Sequence, residues 1–81
     1  MNKKIIENIT SNFSEEEREL VISELSSIKL SHVMANSEHN LNDTRFAILK
    51  LAKGNLNDVI EFTKFAKIDF RDVIMWSMQE K

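Results

Sequence analysis

From Asn42 to Met78 the chain carries three helical patterns almost end to end. The first runs Asn42-Asp43-Thr44-Arg45-Phe46-Ala47-Ile48-Leu49-Lys50-Leu51-Ala52-Lys53 and stops at Gly54, the one glycine in the sequence. The second begins at once with Asn55 and the third with Asp69. Connections this short turn neighbouring helices sharply and make them share a core. The pattern predicts an all-α fold, a compact orthogonal bundle of four to five short helices. It predicts no reaction.

With no proline anywhere, helices must end through caps rather than breakers. Residues 2–10 place Ile5, Ile6 and Ile9 on one stripe, with Phe13 a turn beyond. So short a helix is marginal alone and must dock. Ser14-Glu15-Glu16-Glu17 reads as a capping box that starts a second helix carrying Leu20, Val21, Ile22, Leu25 and Ile28. If that helix ran on to Ala35, Leu30, Val33 and Met34 would make it apolar all round. A break is therefore expected near Ser26-Ser27-Ile28-Lys29, with a short helix from about Leu30 to Ala35. Residues 36–41 read as a loop. The helix from Asp43 to Lys53 is apolar over most of its circumference and belongs at the middle, with Gly54 as its left-handed C′ residue. Asn55 and Asp69 read as caps, with Ile68 and Val73 at the positions of a hydrophobic staple.

Size and charge narrow the function. Eighty-one residues make one domain, 1–81, with a stability of about 4–12 kcal/mol. That leaves little for a strained catalytic site, so no enzyme is expected. The net charge is −2; residues 1–13 carry +1, residues 14–39 carry −4 and residues 40–81 carry +1. No broad basic field follows. There is no cysteine, hence no disulfide or thiolate site, and no apolar run long enough for a membrane. The N-terminus lacks a signal-peptide core, which suggests a cytoplasmic protein of bacterial type.

Chemical constellations are weak. His32 and His39 lie seven apart and lack the paired spacing of a metal site, so they are read as structural, with no metal and no cofactor. The glutamates at 15, 16, 17 and 19 serve the helix start. A helix-turn-helix around Lys67-Ile68-Asp69 would put Asp69 and Asp72 where base contacts are made, and aspartates there repel phosphate.

The last helix holds the clearest signal outside the core. Phe70, Val73, Ile74 and Ser77 fill one stripe, while Met75, Trp76 and Met78 spread beyond it. Either the first helix covers them or a protein partner does. Phe65, toward the polar edge of the preceding helix, joins them as a partner-binding residue. The expected function is a protein–protein interaction or regulatory module, with an unknown partner or a second copy in a homodimer. The alternative is weak nucleic-acid binding by Lys50, Lys53, Lys64 and Lys67 on two adjacent helices.

Two resemblances touch specific residues. Thr44 to Leu56, with Ala66-Lys67-Ile68-Asp69-Phe70-Arg71-Asp72-Val73, resembles short bacterial helical proteins of unknown function. In these, an Arg…Ala-Ile-Leu-Lys-Leu…Gly-(Asn/Asp)-Leu turn precedes an Asp-(Phe/Tyr)-Arg-Asp-Val helix. That likeness implies a structural polar network of Arg45, Asp69, Arg71 and Asp72, and no activity. Ala47 to Phe62 is similar to the second and third helices of ubiquitin-associated-type domains. The Met-Gly-(Phe/Tyr) loop by which that family binds ubiquitin is absent, so only the local helix-turn-helix geometry is implied.

Overall fold

Short polar side chains start three of the four helices in the computed structural model, which describes residues 1–80. Asn2 Oδ1 accepts from Lys4 N at 2.7 Å and opens α1 (Lys3–Asn12). Ser37 Oγ accepts from Asn40 N at 3.2 Å and opens α3 (Glu38–Ala52). Asn55 Oδ1 accepts from Asp58 N at 3.1 Å and opens α4 (Leu56–Gln79). Each supplies an acceptor for one of the N–H groups that a helix start leaves unpaired. The exception is α2 (Glu15–Ser26). There the expected capping box does not form: the Ser14 hydroxyl accepts nothing from the backbone and lies 3.4 Å from the Glu17 carboxylate instead. Glu15, Glu16 and Glu17 still sit in the first turn, where the helix dipole favours negative charge.

Two arginines finish the first two helices from outside. Arg18, on α2, donates through Nε to Phe13 O at 3.2 Å and through Nη2 to Thr10 O at 3.0 Å. Arg45, on α3, donates through Nε to Leu25 O at 3.1 Å and through Nη2 to Ile28 O at 3.1 Å. In both cases a forked cation from the next helix adds a charged donor to carbonyls at or just beyond the end of the preceding helix, where its dipole is negative; Leu25 O also accepts from Ile28 N at 3.2 Å. Burial pulls the Arg45 guanidinium below its ordinary value, with the charge of Glu38 opposing. The polar network implied for Arg45, Asp69, Arg71 and Asp72 is therefore divided. Arg45 is committed to α2, whereas Arg71 grips Asp69 through Nε at 3.1 Å and Nη2 at 3.2 Å.

The break after α2 falls where serines crowd the backbone. Ser27 Oγ bonds Glu24 O at 2.5 Å, and the chain then makes two 3-10 turns, Leu30–His32 and Met34–Asn36, in place of the expected short helix. His32 Nδ1 accepts from Lys29 N at 2.8 Å, and Val33 anchors the segment in the core. The expected loop over 36–41 is a correction: Ser37 caps α3 there, five residues earlier than the sequence pattern suggests, and Leu41 is buried as its first core residue.

The core runs along α3 through Leu41, Ala47, Ile48, Leu49 and Ala52, and against it pack Val59, Ala66, Phe70 and Val73 of α4. Docking of α1 rests on Ile5 and Ile9, at 0 % and 1 % exposure. Two fully buried isoleucines are worth about 3–6 kcal/mol, an upper bound but enough to hold a ten-residue helix that would fray alone. The turn from α3 to α4 carries two left-handed residues, Lys53 at φ 49° and Gly54 at φ 81°. Lys53 is the one that closes the helix. Gly54 is needed beyond it for a second reason: a Cβ there would lie 2.9 Å from the carbonyl oxygen of Asn12, where the end of α1 meets this turn.

α4 is not straight. A straight helix of 24 residues would be about 36 Å long, more than the 33 Å longest dimension of the whole molecule. It breaks at Asp69, whose backbone is extended (φ −154°, ψ 101°). The Asp69 carboxylate caps the new start, accepting from Arg71 N at 3.0 Å. The expected cap is therefore present inside one bent element. The staple is not: Val73 is fully buried while Ile68 is 83 % exposed.

Candidate functional site

The bend at Asp69 sorts the exposed apolar side chains of α4 into two groups. Trp76 lies eleven residues after Phe65, about 16 Å along a straight helix. Across the bend their rings meet edge to face at 5.6 Å and 89°. Phe62 completes the cluster, 6.5 Å from Phe65 and 6.3 Å from Trp76. Trp76 is half-buried against the core and Phe65 remains exposed. Of the two covers read from the sequence, the first helix or a partner, α1 does not supply one, since it packs mainly on α2 and α3; Trp76 lies instead against Phe62 and Phe65 of the first half of α4.

Ile74 and Met78 face the other way, toward α3. With Asp43, Phe46, Ala47, Lys50 and Ser77 they line an open groove of about 300 Å³. Its α3 wall has a simple spacing. Asp43, Phe46, Ala47 and Lys50 stand at i, i+3, i+4 and i+7, one stripe of a helix with a charge at each end and apolar groups between. Ser77 Oγ is satisfied within its own helix by Ile74 O at 2.7 Å, so it brings no unpaired donor to the groove. Met78 is 76 % exposed and Met75, 49 % exposed, lies about 60° further round the helix on the same flank.

The four partner-binding residues read from the sequence thus fall in two places. Phe65 and Trp76 touch each other; Met78 rims the groove, with Met75 next to it. Sequence reasoning missed Phe46, Ala47 and Ile74 as groove walls. The signal was available in the i, i+3, i+4, i+7 spacing from Asp43 to Lys50. It also missed Ile68, the most exposed apolar residue, which the staple reading placed inside.

The four lysines do not make one field. Lys50 stands at the end of the groove. Lys53 pairs with Glu80, whose carboxyl is held below its ordinary value by that hydrogen bond first and by the lysine charges second. Lys64 and Lys67 lie exposed on the first half of α4, beside Phe65 and Ile68. At the opposite end of the groove His39 Nε2 lies 3.2 Å from Asp43 Oδ2, both groups well exposed. Among the described residues no three His, Asp or Glu side chains gather where a cation could be held, and no helix is long and apolar enough to cross a membrane. No protein-family model, curated protein or solved structure matches the chain.

Proposed function

We propose that this chain is a non-enzymatic protein-interaction module that docks through the groove between α3 and the second half of α4. One observation carries the reading: the groove is rimmed by Met78, 76 % exposed, with the exposed Met75 next to it on the helix surface. The apolar lining thus continues into a flexible thioether side chain held in solvent. Methionines adapt to the shape of a partner and are well suited to such a rim. The nucleic-acid alternative is weakened because Lys53 is tied to Glu80 and an aspartate stands on the same stripe as Lys50.

A photo-crosslinking residue placed at Met78 or Met75 in cells of the native host tests the reading. Leu20, 57 % exposed on α2, is the control position. Discrete protein adducts are expected from 78 and 75 and none from 20. Equal labelling from all three positions, or none from any, would dispose of the proposal.

A further inference from the structure

We infer that the occupant of the groove is a second copy of this chain, seated about a two-fold axis near Phe46 and Ala47. The inference rests on the interaction reading above and names its partner. Its basis is the order of residues on the α3 wall, Asp43, Phe46, Ala47, Lys50. Read in reverse, that stripe is Lys, Ala, Phe, Asp. Two such stripes laid antiparallel therefore set each Asp43 against Lys50 of the second copy, with the two partly buried Phe46 side chains meeting near the axis over the buried Ala47. A two-fold contact must be self-complementary in this sense, residue i meeting j and j meeting i. The distance fits: Asp43 to Lys50 spans about 10.5 Å along the helix, so both charge pairs form in one register. On the second half of α4, Ile74 and Met78 extend the apolar strip beyond the α3 stripe. A stable dimer needs about 600 Å² or more from each subunit, roughly a ninth of the 5184 Å² surface, so the contact must extend past the groove lining onto the exposed surface around Met78 and Met75. A foreign amphipathic helix would need only the apolar strip; opposite charges at matched ends of one stripe are what a second copy requires.

Sedimentation velocity on the purified chain, from about 1 µM to about 1 mM, tests this directly. A concentration-dependent dimer is expected. Asp43→Lys and Lys50→Asp should each weaken it at least about tenfold by setting like charges together twice, and the double swap should restore it to within about threefold of the native constant. Both positions lie on the surface; should either reversal lose its helical circular dichroism, Asp43→Asn and Lys50→Gln take its place, each expected to weaken the dimer. A monomer throughout the range overturns the inference, and so does a dimer indifferent to the swaps or one the double swap fails to restore. A monomer whose residue 78 nevertheless crosslinks to another protein overturns the second copy and leaves the interaction module standing. A monomer with no adduct removes both.

Discussion

Thr63 offers the sharpest test of how the core is built. It lies on α4 one turn after Val59 and one turn before Ala66, and all three are fully buried. Its Oγ1 finds no hydrogen-bond partner among the described residues. A hydroxyl buried without a partner costs about 1–3 kcal/mol relative to leaving it in water. Thr63→Val exchanges that hydroxyl for a methyl group of nearly the same volume, and the added apolar burial is worth up to about 0.8 kcal/mol. Helix propensity is a minor term, since valine and threonine rank together. Allowing for imperfect refitting of the methyl, the net expectation is a gain of about 1–2 kcal/mol, in a domain whose whole stability is about 4–12 kcal/mol. Urea unfolding followed by Trp76 fluorescence should show a higher midpoint at unchanged slope. The melting temperature should rise by about 4–16 °C, given about 4–8 °C per kcal/mol for a chain of this size. Thr63→Ser, which keeps the hydroxyl and deletes the methyl, should move the other way by about 1 kcal/mol. If the valine variant were less stable than wild type, the hydroxyl would be bonded after all, and the account of this part of the core would be refuted.

Other perturbations have equally definite signs. Arg45→Ala leaves Leu25 O and Ile28 O without their charged donor and should cost about 2–3 kcal/mol in urea unfolding, with Arg45→Lys recovering less than half, because an ammonium cannot reproduce the forked geometry. Gly54→Ala meets both a left-handed backbone and the Asn12 carbonyl at 2.9 Å, so a loss of about 1–3 kcal/mol is expected by the same measurement. Asp69, through its hydrogen bonds from Arg71, and Glu80, through Lys53, are held below their ordinary values. Their stabilisation is therefore complete above the ordinary carboxylate range and is lost as pH falls through the depressed values. Urea midpoints should drop on going from about pH 5 to about pH 2.5, and the drop should shrink in Asp69→Asn with Glu80→Gln.

Much of the helical order is legible from local chemistry. The serines at 26 and 27 announce the end of α2 because their hydroxyls compete for backbone partners, and the break falls there. Asn55 and Asp69 are visible as caps for the same reason. What local chemistry misreads depends on a competing local partner at Ser14 and on distant contacts elsewhere. Ser14 has the residues of a capping box, yet its hydroxyl turns to the Glu17 side chain. Ser37 looks like part of a loop because Glu38-His39-Asn40 are polar, and only burial of Leu41 against the rest of the molecule reveals a helix there. Arg45 resembles a surface cation until the end of α2 and the turn after it present Leu25 O and Ile28 O, twenty and seventeen residues away. No periodicity encodes such a partner.

The surface of α4 shows the same division more sharply. An excess of apolar groups at its end is visible in Met75, Trp76 and Met78 as a list, because one helical stripe is already filled by Phe70, Val73, Ile74 and Ser77. Their distribution depends on one backbone angle pair. With Asp69 extended, the second half of α4 swings round so that Trp76 closes on Phe65 and Phe62, and the opposite flank, Ile74 and Met78, faces α3. In a continuous helix Phe65 and Trp76 would stand too far apart to touch. The half-buried indole and the exposed thioethers are thus consequences of one bend, and the Arg71–Asp69 pair holds the carboxylate that caps it. Replacing Asp69 should therefore disturb the Trp76 environment and the groove together, whereas a change confined to Met78 should alter the groove and leave the indole spectrum as it is.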